Sequence, residues 1–375
     1  MPCNSPIVVA LSGGVDSAVA ALLLRDAGHS VQCLHMSNWE DDGYCDNARE
    51  FQDARRVCLE LGLPLHRVSF AREYREQVFG DFLAEYAKGR TPNPDVLCNR
   101  RIKFGVMRRY ARRLGAAKIA TGHYARIDVD PASGAPRLRK GVDATKDQSY
   151  FLHAVAAEDF VDVTMPLGEL TKVEVREIAR SAGLAVAEKK DSTGICFIGE
   201  RPFAEFLGRY LPDEPGVMRD DSGVERGRHR GLAYYTLGQR HGLGLGGVAE
   251  RPENAWYVAA KDVAANALVV VQGHEHPLLL ARSLVATDVH WIGAPPREWE
   301  RRQPLRCHAK IRYRQADQAC TIVRTGADTL EAQFDAPQRT PTPGQFIVLY
   351  DGDRCLGGAT IDTAAAASEV LQATG

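Results

Sequence analysis

Apolar and polar positions in the first half of the chain alternate between short apolar runs and longer amphipathic stretches. The runs "IVVA" (7–10), "VQCLHM" (31–36) and "LHRVSF" (65–70) are typical of buried strands, and "AKIATGHYARI" (117–127) predicts a further strand. Helical spacing of apolar residues follows these runs, at 16–28, 47–62 and 72–89. This order predicts a parallel sheet with helices on both faces, which binds its ligands at the carboxyl ends of the strands.

The pattern changes in the second half of the chain. One more helix is predicted at 170–184, where Thr171 and Glu174 have the spacing of a capping box and Gly183 supplies the stop. After about residue 208, Gly-rich and Pro-rich turns separate short strand-like runs such as "NAWYVAA", "ALVVVQ", "RCHAKIRY" and "GQFIVLY". We therefore predict an α/β catalytic domain over 1–208, a small central β-rich domain over 209–276 and a β-barrel-like C-terminal domain over 277–375.

Composition narrows the class of protein. The 375 residues are 45% hydrophobic and 25% charged, which is ordinary for a soluble, well-packed protein of two or three domains. No apolar run approaches the roughly 18 to 20 residues that cross a bilayer, and the N-terminus lacks a signal core, so we expect a cytoplasmic protein without a membrane partner. Nine scattered cysteines without a C-x-x-C pair predict neither a disulfide framework nor a structural metal site.

The stretch "ALSGGVDS" (10–17) lies between the first predicted strand and the first predicted helix. At a helix start the first backbone N–H groups lack intrahelical partners and carry the positive end of the dipole, so they suit a phosphate. Neither the Walker pattern G-x-x-x-x-G-K-[ST] nor the dinucleotide pattern G-x-G-x-x-G is present. The structural alternative is a tight glycine turn in which Asp16 and Ser17 cap the helix.

Several motifs together resemble a known family. "SGGVDS" resembles the pyrophosphate loop (PP-loop) of the N-type ATP pyrophosphatases. With "TPNPDVLCNRRIKF", "GHYAR", "KDQSYFL", "DSTGICFIGER" and "YYTLGQRHGLGLGG", it closely resembles the tRNA 2-thiouridylase family over about residues 7–360. One departure is Ala18, where a second serine is expected. The resemblance implies a parallel-sheet, adenine nucleotide alpha-hydrolase-like (PP-loop) domain followed by a small central domain and a β-barrel-like domain.

The same resemblance implies an activity. The C2 oxygen of the wobble uridine in the tRNAs for Lys, Glu and Gln is adenylated by ATP, with Mg²⁺ expected beside the nucleotide, and is then replaced by sulfur. The sulfur arrives on a cysteine persulfide, so a persulfide carrier protein is expected as donor. The resemblance implies Cys196 as the persulfide carrier and Cys98 as its partner, joined as a disulfide at the end of the cycle. Both thiols are predicted to lie in polar loops.

The resemblance also implies binding residues. Asp95 is either an acid or base for the transfer or only the N-cap of the helix containing "RRIKF". Met36 is expected to pack on adenine, and Gly122 to let the nucleotide approach the fourth strand. The nucleotide-binding set is Ala10, Leu11, Ser12, Gly13, Gly14, Val15, Asp16, Ser17, Met36 and Gly122. The tRNA-binding set is Asn93, Pro94, Asp95, His123, Lys146, Asp147, Gln148, Arg312, Tyr313 and Gln345.

Local charge supports a polyanionic partner although the net charge is −1. Basic clusters occur at 99–114, 226–231 and 301–314, and Tyr313 beside Arg312 offers a stacking plane next to a cation. Each feature has a structural alternative: a solvated arginine face, a hydrogen-bonded histidine or a buried cysteine. Two other functions stay open, namely a PP-loop ATP pyrophosphatase that acts on a small metabolite and a non-catalytic RNA-binding protein on a degenerate nucleotide fold. AMP formation that depends on tRNA separates all three.

Overall fold

The structure is a computed structural model that describes residues 5–40, 47–191, 202–246 and 254–364. Its strands are β1 Ile7–Ala10, β2 Val31–Ser37, β3 Leu65–Ser69, β4 Lys118–Ala120, β5 Ala125–Val129, β6 Pro136–Lys140, β7 Val163–Thr164, β8 Gly216–Arg219, β9 Glu225–His229, β10 Trp256–Asp262, β11 Ala267–Gln272, β12 Leu280–Trp291, β13 Leu305–Lys310, β14 Gln318–Arg324, β15 Leu330–Arg339, β16 Phe346–Asp351 and β17 Arg354–Ala364. Its α-helices are α1 Val15–Asp26, α2 Asn47–Leu61, α3 Ala71–Tyr74, α4 Gly80–Ala87, α5 Pro94–Leu97, α6 Arg108–Arg113, α7 Ser149–Leu152, α8 Lys172–Ser181, α9 Phe203–Leu207 and α10 Arg297–Glu300. Two π-helical stretches, Arg75–Phe79 and Cys98–Met107, connect α3 to α4 and α5 to α6.

A five-stranded parallel sheet, in the order β3-β2-β1-β4-β7, confirms the predicted α/β architecture. Val8 and Val9 of β1 are both fully buried but belong to different hydrophobic clusters, because successive side chains point to opposite faces of the sheet. The strand order reverses direction between β1 and β4. The segments that follow these two strands therefore meet at the carboxyl edge of the sheet, where open α/β sheets bind ligands.

The single strand predicted over 117–127 was wrong. β4 ends at Ala120, and β5 begins at Ala125 in a different sheet, where it pairs with β6. The turn between them is required because Gly122 lies against the start of α1: a Cβ on Gly122 would stand 2.8 Å from Ser17 N. The backbone therefore leaves the parallel sheet at this point.

The predicted cap of the 170–184 helix is confirmed. Thr171 Oγ1 accepts a hydrogen bond from Glu174 N, and the Glu174 carboxylate accepts one from Thr171 N. Gly183 follows the end of α8 with φ of +67°, the left-handed conformation expected of a helix stop.

The β-rich half contains two further sheets. A four-stranded sheet has the order β10-β11-β8-β9, and six antiparallel strands close a barrel in the order β12-β15-β14-β13-β16-β17, with β17 pairing back to β12. The predicted central domain and C-terminal barrel are thereby confirmed as architecture. The β5–β6 hairpin of the first half joins the barrel sheet through β17, which the sequence pattern did not indicate.

The predicted boundaries at 208/209 and 276/277 fall in the segments between α9 and β8 and between β11 and β12, and they remain predictions. Within the described ranges, none of the helices combines the length and apolarity that a bilayer span requires.

Candidate functional site

The phosphate loop, residues 12–17, connects β1 to α1 and is closed by two serine hydroxyls. Ser12 Oγ and Ser17 Oγ lie 3.1 Å apart, and Ser17 Oγ donates to Gly14 O at 3.1 Å. Gly13 has φ of +81°, and a Cβ there would stand 2.3 Å from Glu50 O, so no other residue fits. Among the described residues, a Cβ on Gly14 would come within 4 Å of one atom, Ser12 Oγ, at 3.5 Å. The loop is thus packed behind Gly13 and open in front of Gly14.

The remaining nucleotide-binding candidates surround this loop. Leu11 and Val15 are buried, so they present backbone rather than side chains. Met36 lies near the end of β2 and packs against the hydrophobic cluster below the sheet. Gly122 is required by its close approach to Ser17, so the structure gives a reason for this glycine other than the predicted approach of a nucleotide.

Asp16 is held by two groups that the sequence analysis missed. Its carboxylate accepts a hydrogen bond from Tyr124 OH at 2.7 Å and is paired with Lys172 Nζ at 2.7 and 2.9 Å. Lys172, which is only 9% exposed, also pairs with Asp191 at 2.7 Å. Because Lys172 is 156 residues away in the chain, no local pattern could reveal this contact. The described residues contain no cluster of three or more His, Cys, Asp or Glu side chains suited to a metal ion.

The segment that leads to Cys98 begins with a helix cap. Asn93 is the N-cap of α5, since its side chain accepts a hydrogen bond from Asp95 N at 3.2 Å, and Pro94 occupies the first turn. The predicted N-cap role of Asp95 was therefore wrong. Asp95 is half-buried in the first turn, where burial raises the pKa of its carboxyl and the nearby Lys103 partly opposes that rise.

Cys98 lies in a helix, which corrects the prediction that it is a loop thiol. α5, the π-helical stretch and α6 form one continuous helix over 94–113, called here the Cys98 helix. Cys98 is 6% exposed, and Asn38 Nδ2 lies 4.0 Å from its Sγ. Burial raises the pKa of the thiol to about 11, with Lys103 lowering it and Asp95 raising it. The thiol is thus protonated and shielded at neutral pH.

Cys196 lies outside the described residues, so the approach of the two thiols stays a prediction. The last described residue before that segment, Asp191, pairs with Lys146 at 2.7 Å, Lys172 at 2.7 Å and Arg176 at 3.1 Å. Burial would raise the pKa of Asp191, but Lys146 and Lys172 outweigh it and lower the pKa to about 2. The segment of Cys196 therefore starts from a firmly charged anchor beside the phosphate loop. Lys146, a predicted tRNA contact, is part of that anchor.

Three of the predicted tRNA contacts have buried or internally bonded side chains. His123 is 8% exposed, its Nδ1 lies 2.8 Å from Thr121 Oγ1, and burial, together with Lys103, holds its pKa well below the usual value. Asp147 is buried and accepts hydrogen bonds from backbone N–H groups of the turn that it occupies. Gln148 Oε1 accepts from the backbone of Tyr124 at 3.0 Å. His123 and Gln148 thus hold the turn after β4, Asp147 holds the turn over 141–149, and the structure supports the structural alternative for His123.

The predicted pairing of Arg312 with Tyr313 has a different geometry. The guanidinium over the Tyr313 ring is that of Arg314, at 6.0 Å from the ring centroid, whereas Arg312 donates to Thr340 O at 3.1 Å. The Tyr313 ring packs 4.5 Å from Phe151, and burial raises the pKa of its hydroxyl to about 12. Arg312 is exposed in the loop between β13 and β14, but its Nη2 already donates to Thr340, and partial burial of the side chain lowers the pKa of its guanidinium.

Gln345 links the barrel to the segment before the Cys98 helix. Its side-chain amide donates to Thr91 O at 2.7 Å, and Thr91 N donates to Pro343 O at 2.9 Å. Arg90 pairs with Asp362 of β17 at 2.7 Å. Gln345 thus contacts Thr91, two residues before Asn93, but its amide is used in this internal contact, and its tRNA-binding role stays a prediction.

The central sheet reaches the same segment from another side. Lys261 of β10 donates to Gly89 O at 2.8 Å, and burial lowers the pKa of its ammonium group to about 8. Thr236 Oγ1 lies 3.3 Å from Thr91 Oγ1. Residues 89–91, called here the junction, thus contact both β-rich units. No local sequence pattern indicates this arrangement, because every partner is more than 140 residues away.

Comparison with known proteins agrees with this three-part organisation. Residues 5–200 match the family described as tRNA methyl transferase HUP domain, residues 204–272 its PRC-barrel domain, and residues 281–361 the aminomethyltransferase beta-barrel domain. The chain is 53% identical to the tRNA-specific 2-thiouridylase MnmA of Pseudomonas paraeruginosa, over 97% of this chain and 96% of that protein. It is 55% identical to the protein of the same name from Methylococcus capsulatus, over 95% and 96%.

Proposed function

Because this chain belongs to the family of tRNA-specific 2-thiouridylases, we propose that it replaces the C2 oxygen of the wobble uridine in tRNA by sulfur, at the expense of ATP. One observation carries the proposal: the phosphate loop and Cys98 share one edge of the parallel sheet. The loop follows β1, and Asn38, the residue next to the Cys98 thiol, follows the end of the neighbouring strand β2. This arrangement supports a nucleotide site and a reactive thiol at the same edge, which is where such sheets bind ligands.

In the first step, the uridine C2 oxygen attacks the α-phosphorus of ATP, and pyrophosphate leaves. The open side of Gly14, the two serine hydroxyls and the N-terminus of α1 would hold the pyrophosphate. Adenylation turns an oxygen that leaves poorly into part of AMP, which leaves readily. A base stacked in the anticodon cannot be attacked, so the uridine must be extruded toward Asn93, Pro94 and Asp95.

In the second step, the terminal sulfur of a persulfide on Cys196 attacks C2, and AMP departs. The Cys98 thiolate then attacks the Cys196 sulfur, which breaks the S–S bond, leaves the outer sulfur on the uridine and joins Cys98 to Cys196 as a disulfide. Because the Cys98 thiol has a raised pKa, it must lose its proton in the complex. Asp95, which has a raised pKa one helical turn away, is the candidate base.

Several finer expectations are part of the same proposal. Mg²⁺ takes most of its ligands from phosphates and water, and Asp16 is the candidate carboxylate, although its present partners are Lys172 and Tyr124. A persulfide carrier protein as donor, a cytoplasmic location and the domain limits given above remain predictions.

The direct test is to incubate the protein with ATP, a persulfide donor and an unmodified tRNA for Lys, Glu or Gln, and to measure 2-thiouridine and AMP by mass spectrometry. Tight tRNA dependence of AMP formation supports the proposal. AMP formation without tRNA indicates a small-metabolite pyrophosphatase, and tRNA binding without AMP indicates a non-catalytic RNA-binding protein.

Cysteine variants separate the two sulfur roles. Cys196→Ser should lose persulfide loading and all product, whereas Cys98→Ser should load Cys196 but fail to release sulfur. Cys58→Ser is the matched control. Cys58 is a buried thiol that forms a hydrogen bond with Cys33, and a serine at position 58 can keep that hydrogen bond. Full product from the double Cys98→Ser, Cys196→Ser variant would contradict the mechanism.

Peptide mapping of disulfides after turnover must distinguish a catalytic disulfide from background oxidation of other cysteines. Cys307 and Cys320 are cross-strand neighbours whose sulfurs lie 3.7 Å apart, so they can oxidise in air without any catalysis. A Cys98–Cys196 disulfide that forms only with ATP and tRNA, against a constant background of other pairs, is the expected result.

A further inference from the structure

The phosphate loop contains no lysine, yet the fold brings one to it from far along the chain. Lys189, which is 176 residues away, donates from Nζ to Gly13 O at 3.1 Å. The same ammonium group pairs with Asp53 of α2 at 2.6 Å. Lys189 therefore lies behind the loop, held between a backbone carbonyl and a carboxylate.

The planar peptide bond transmits this contact to the front of the loop. In a trans peptide the carbonyl of one residue and the N–H of the next point in opposite directions, and no cis peptide is present among the described residues. Holding the Gly13 carbonyl on Lys189 therefore directs the Gly14 N–H away from Lys189. That N–H donates a long hydrogen bond, 3.4 Å, to Ser12 Oγ, which is also the one described atom within 4 Å of a Cβ on Gly14.

Because Gly13 and Gly14 are adjacent glycines, the peptide between them can adopt two opposite orientations. Because neither Gly13 nor Gly14 has a Cβ, the peptide between them can rotate more freely than any other in the loop. The opposite orientation would present the Gly13 carbonyl oxygen to a phosphate, and two partial negative charges would repel. A fixed cation on the carbonyl removes that orientation before a ligand arrives.

We propose that Lys189 is a positioning residue of the phosphate loop, which holds the Gly13 carbonyl so that the Gly14 N–H faces the pyrophosphate part of ATP. The inference rests on the proposed function for the identity of the ligand and deepens it. Lys189 acts through the peptide and does not itself contact the phosphate. Asp53 is its anchor.

Direct contact between Lys189 and the ligand would have the opposite consequence for Asp53. If Lys189 positions the loop, Asp53→Asn loosens it and weakens pyrophosphate binding. If Lys189 instead moves to the phosphate, Asp53→Asn frees the lysine and removes a repelling anion, so pyrophosphate should bind more tightly. The sign of the change decides between the two.

The experiment measures binding of inorganic pyrophosphate and of AMP to the full chain by isothermal titration calorimetry. Lys189→Met should raise the Kd for pyrophosphate about tenfold, a loss of about 1.4 kcal/mol, and leave the Kd for AMP within about twofold. Lys189→Arg, which keeps a donor and the charge, should recover most of the affinity. Lys190→Met is the matched control, since Lys190 is the exposed neighbour, and should bind both ligands like the parent.

Each outcome decides the inference. Parent-like pyrophosphate binding in Lys189→Met, an equal loss of AMP affinity, or tighter binding in Asp53→Asn would overturn it. If Lys189→Met does not fold, Asp53→Asn alone still shows whether pyrophosphate affinity falls, as the inference requires, or rises. A parent protein that binds no pyrophosphate overturns both this inference and the ATP site of the proposed function. The expected affinity pattern without any 2-thiouridine product supports Lys189 while refuting the proposed activity.

Discussion

Gly13 and Gly14 are adjacent in the phosphate loop, yet the structure requires a glycine at each for a different reason. Gly13 has a left-handed φ and its missing Cβ faces the backbone of α2, whereas Gly14 has an ordinary extended conformation and, among the described atoms, a Cβ on it would have only an ordinary contact with Ser12 Oγ. The first glycine serves the fold. The second leaves room for whatever binds in front of the loop.

Alanine at each position should separate stability from binding. Gly13→Ala should lower the free energy of unfolding by at least about 1–2 kcal/mol from its φ alone, and further through the clash with Glu50 O. Gly14→Ala should lower the free energy of unfolding by about 1 kcal/mol, the usual cost of alanine at a helix N-cap, and should weaken pyrophosphate binding, because a methyl group enters the front of the loop. Urea denaturation and calorimetric titration measure both quantities. Equal stability losses in the two variants would refute this division of roles.

The Cys98 thiol offers a second measurement on a single residue. Its pKa of about 11 stands two units above the ordinary value of 9.0, so its thiolate fraction at pH 8 should be about 100-fold smaller than that of a free thiol. Alkylation by iodoacetamide, followed by peptide mass analysis, should therefore be slow and should rise about tenfold per pH unit up to pH 10. The same peptide in denatured protein is the control. A rate that levels off just above pH 9 would show that the pKa of the thiol is not raised.

Among the secondary-structure elements, the Cys98 helix is held in position by contacts of the segment that precedes its N-terminus. The junction joins it to β10 through Lys261, to β17 through Arg90 and to the loop before β16 through Thr91. The helix itself contains a π-helical stretch, a feature that often marks functional sites. Small changes in the β-rich units can therefore displace the candidate catalytic segment.

Lys261 makes this coupling sensitive to pH. Its folded pKa of about 8 is lower than its unfolded value near 10.5, so between these pH values the unfolded chain binds more protons and stability rises with pH. The unfolding free energy of the parent, minus that of Lys261→Met, should rise by about 2 kcal/mol from pH 7.5 to pH 10. Urea melts across that range measure it. A difference that is flat or falls with pH would contradict the shifted lysine.

Elements with a strong periodic pattern were predictable, whereas those that depend on distant contacts were not. The capping box at Thr171 is local and was predicted correctly. The sequence predicts a loop at Cys98 because the residues around it are polar and lack an apolar helical pattern, although a helix begins there at an Asn-Pro cap. Lys172 and Lys189 could not be found, because nothing in a lysine's neighbours indicates a partner more than 150 residues away. The phosphate loop was found because its residues are contiguous.

At the scale of the whole molecule, much of the positive charge is balanced internally. In the basic stretch 99–114, Arg108 pairs with Asp159 and Asp162, and Arg112 also pairs with Asp162. A count of arginines therefore overstates the charge that a polyanion meets. Exposed cations on the barrel, such as Arg312, are the better candidates for RNA contacts.

Two arginines on the barrel allow a matched comparison. Arg312→Ala should weaken tRNA binding and lower the slope of log affinity against log salt by about one, as expected for one lost phosphate contact. Arg306→Ala is the control, because Arg306 is paired with Asp335, and it should leave the slope nearly unchanged. Fluorescence anisotropy at several salt concentrations measures both. Parent-like binding by Arg312→Ala at every salt concentration would exclude this face as the RNA platform.

The position of β17 late in the sequence determines the order in which parts of the chain can fold during translation. β17 is the last described strand, and it pairs with β12, β16 and the early β6, while its Asp362 holds Arg90, 272 residues upstream. At roughly 5–20 residues per second, translation leaves Arg90 waiting for tens of seconds before that partner emerges. The parallel sheet can form in the meantime. A nascent chain that has not yet reached β17 would therefore have a phosphate loop but a Cys98 helix without its anchoring contacts. We expect such a chain to bind a nucleotide before it can carry out the sulfur transfer.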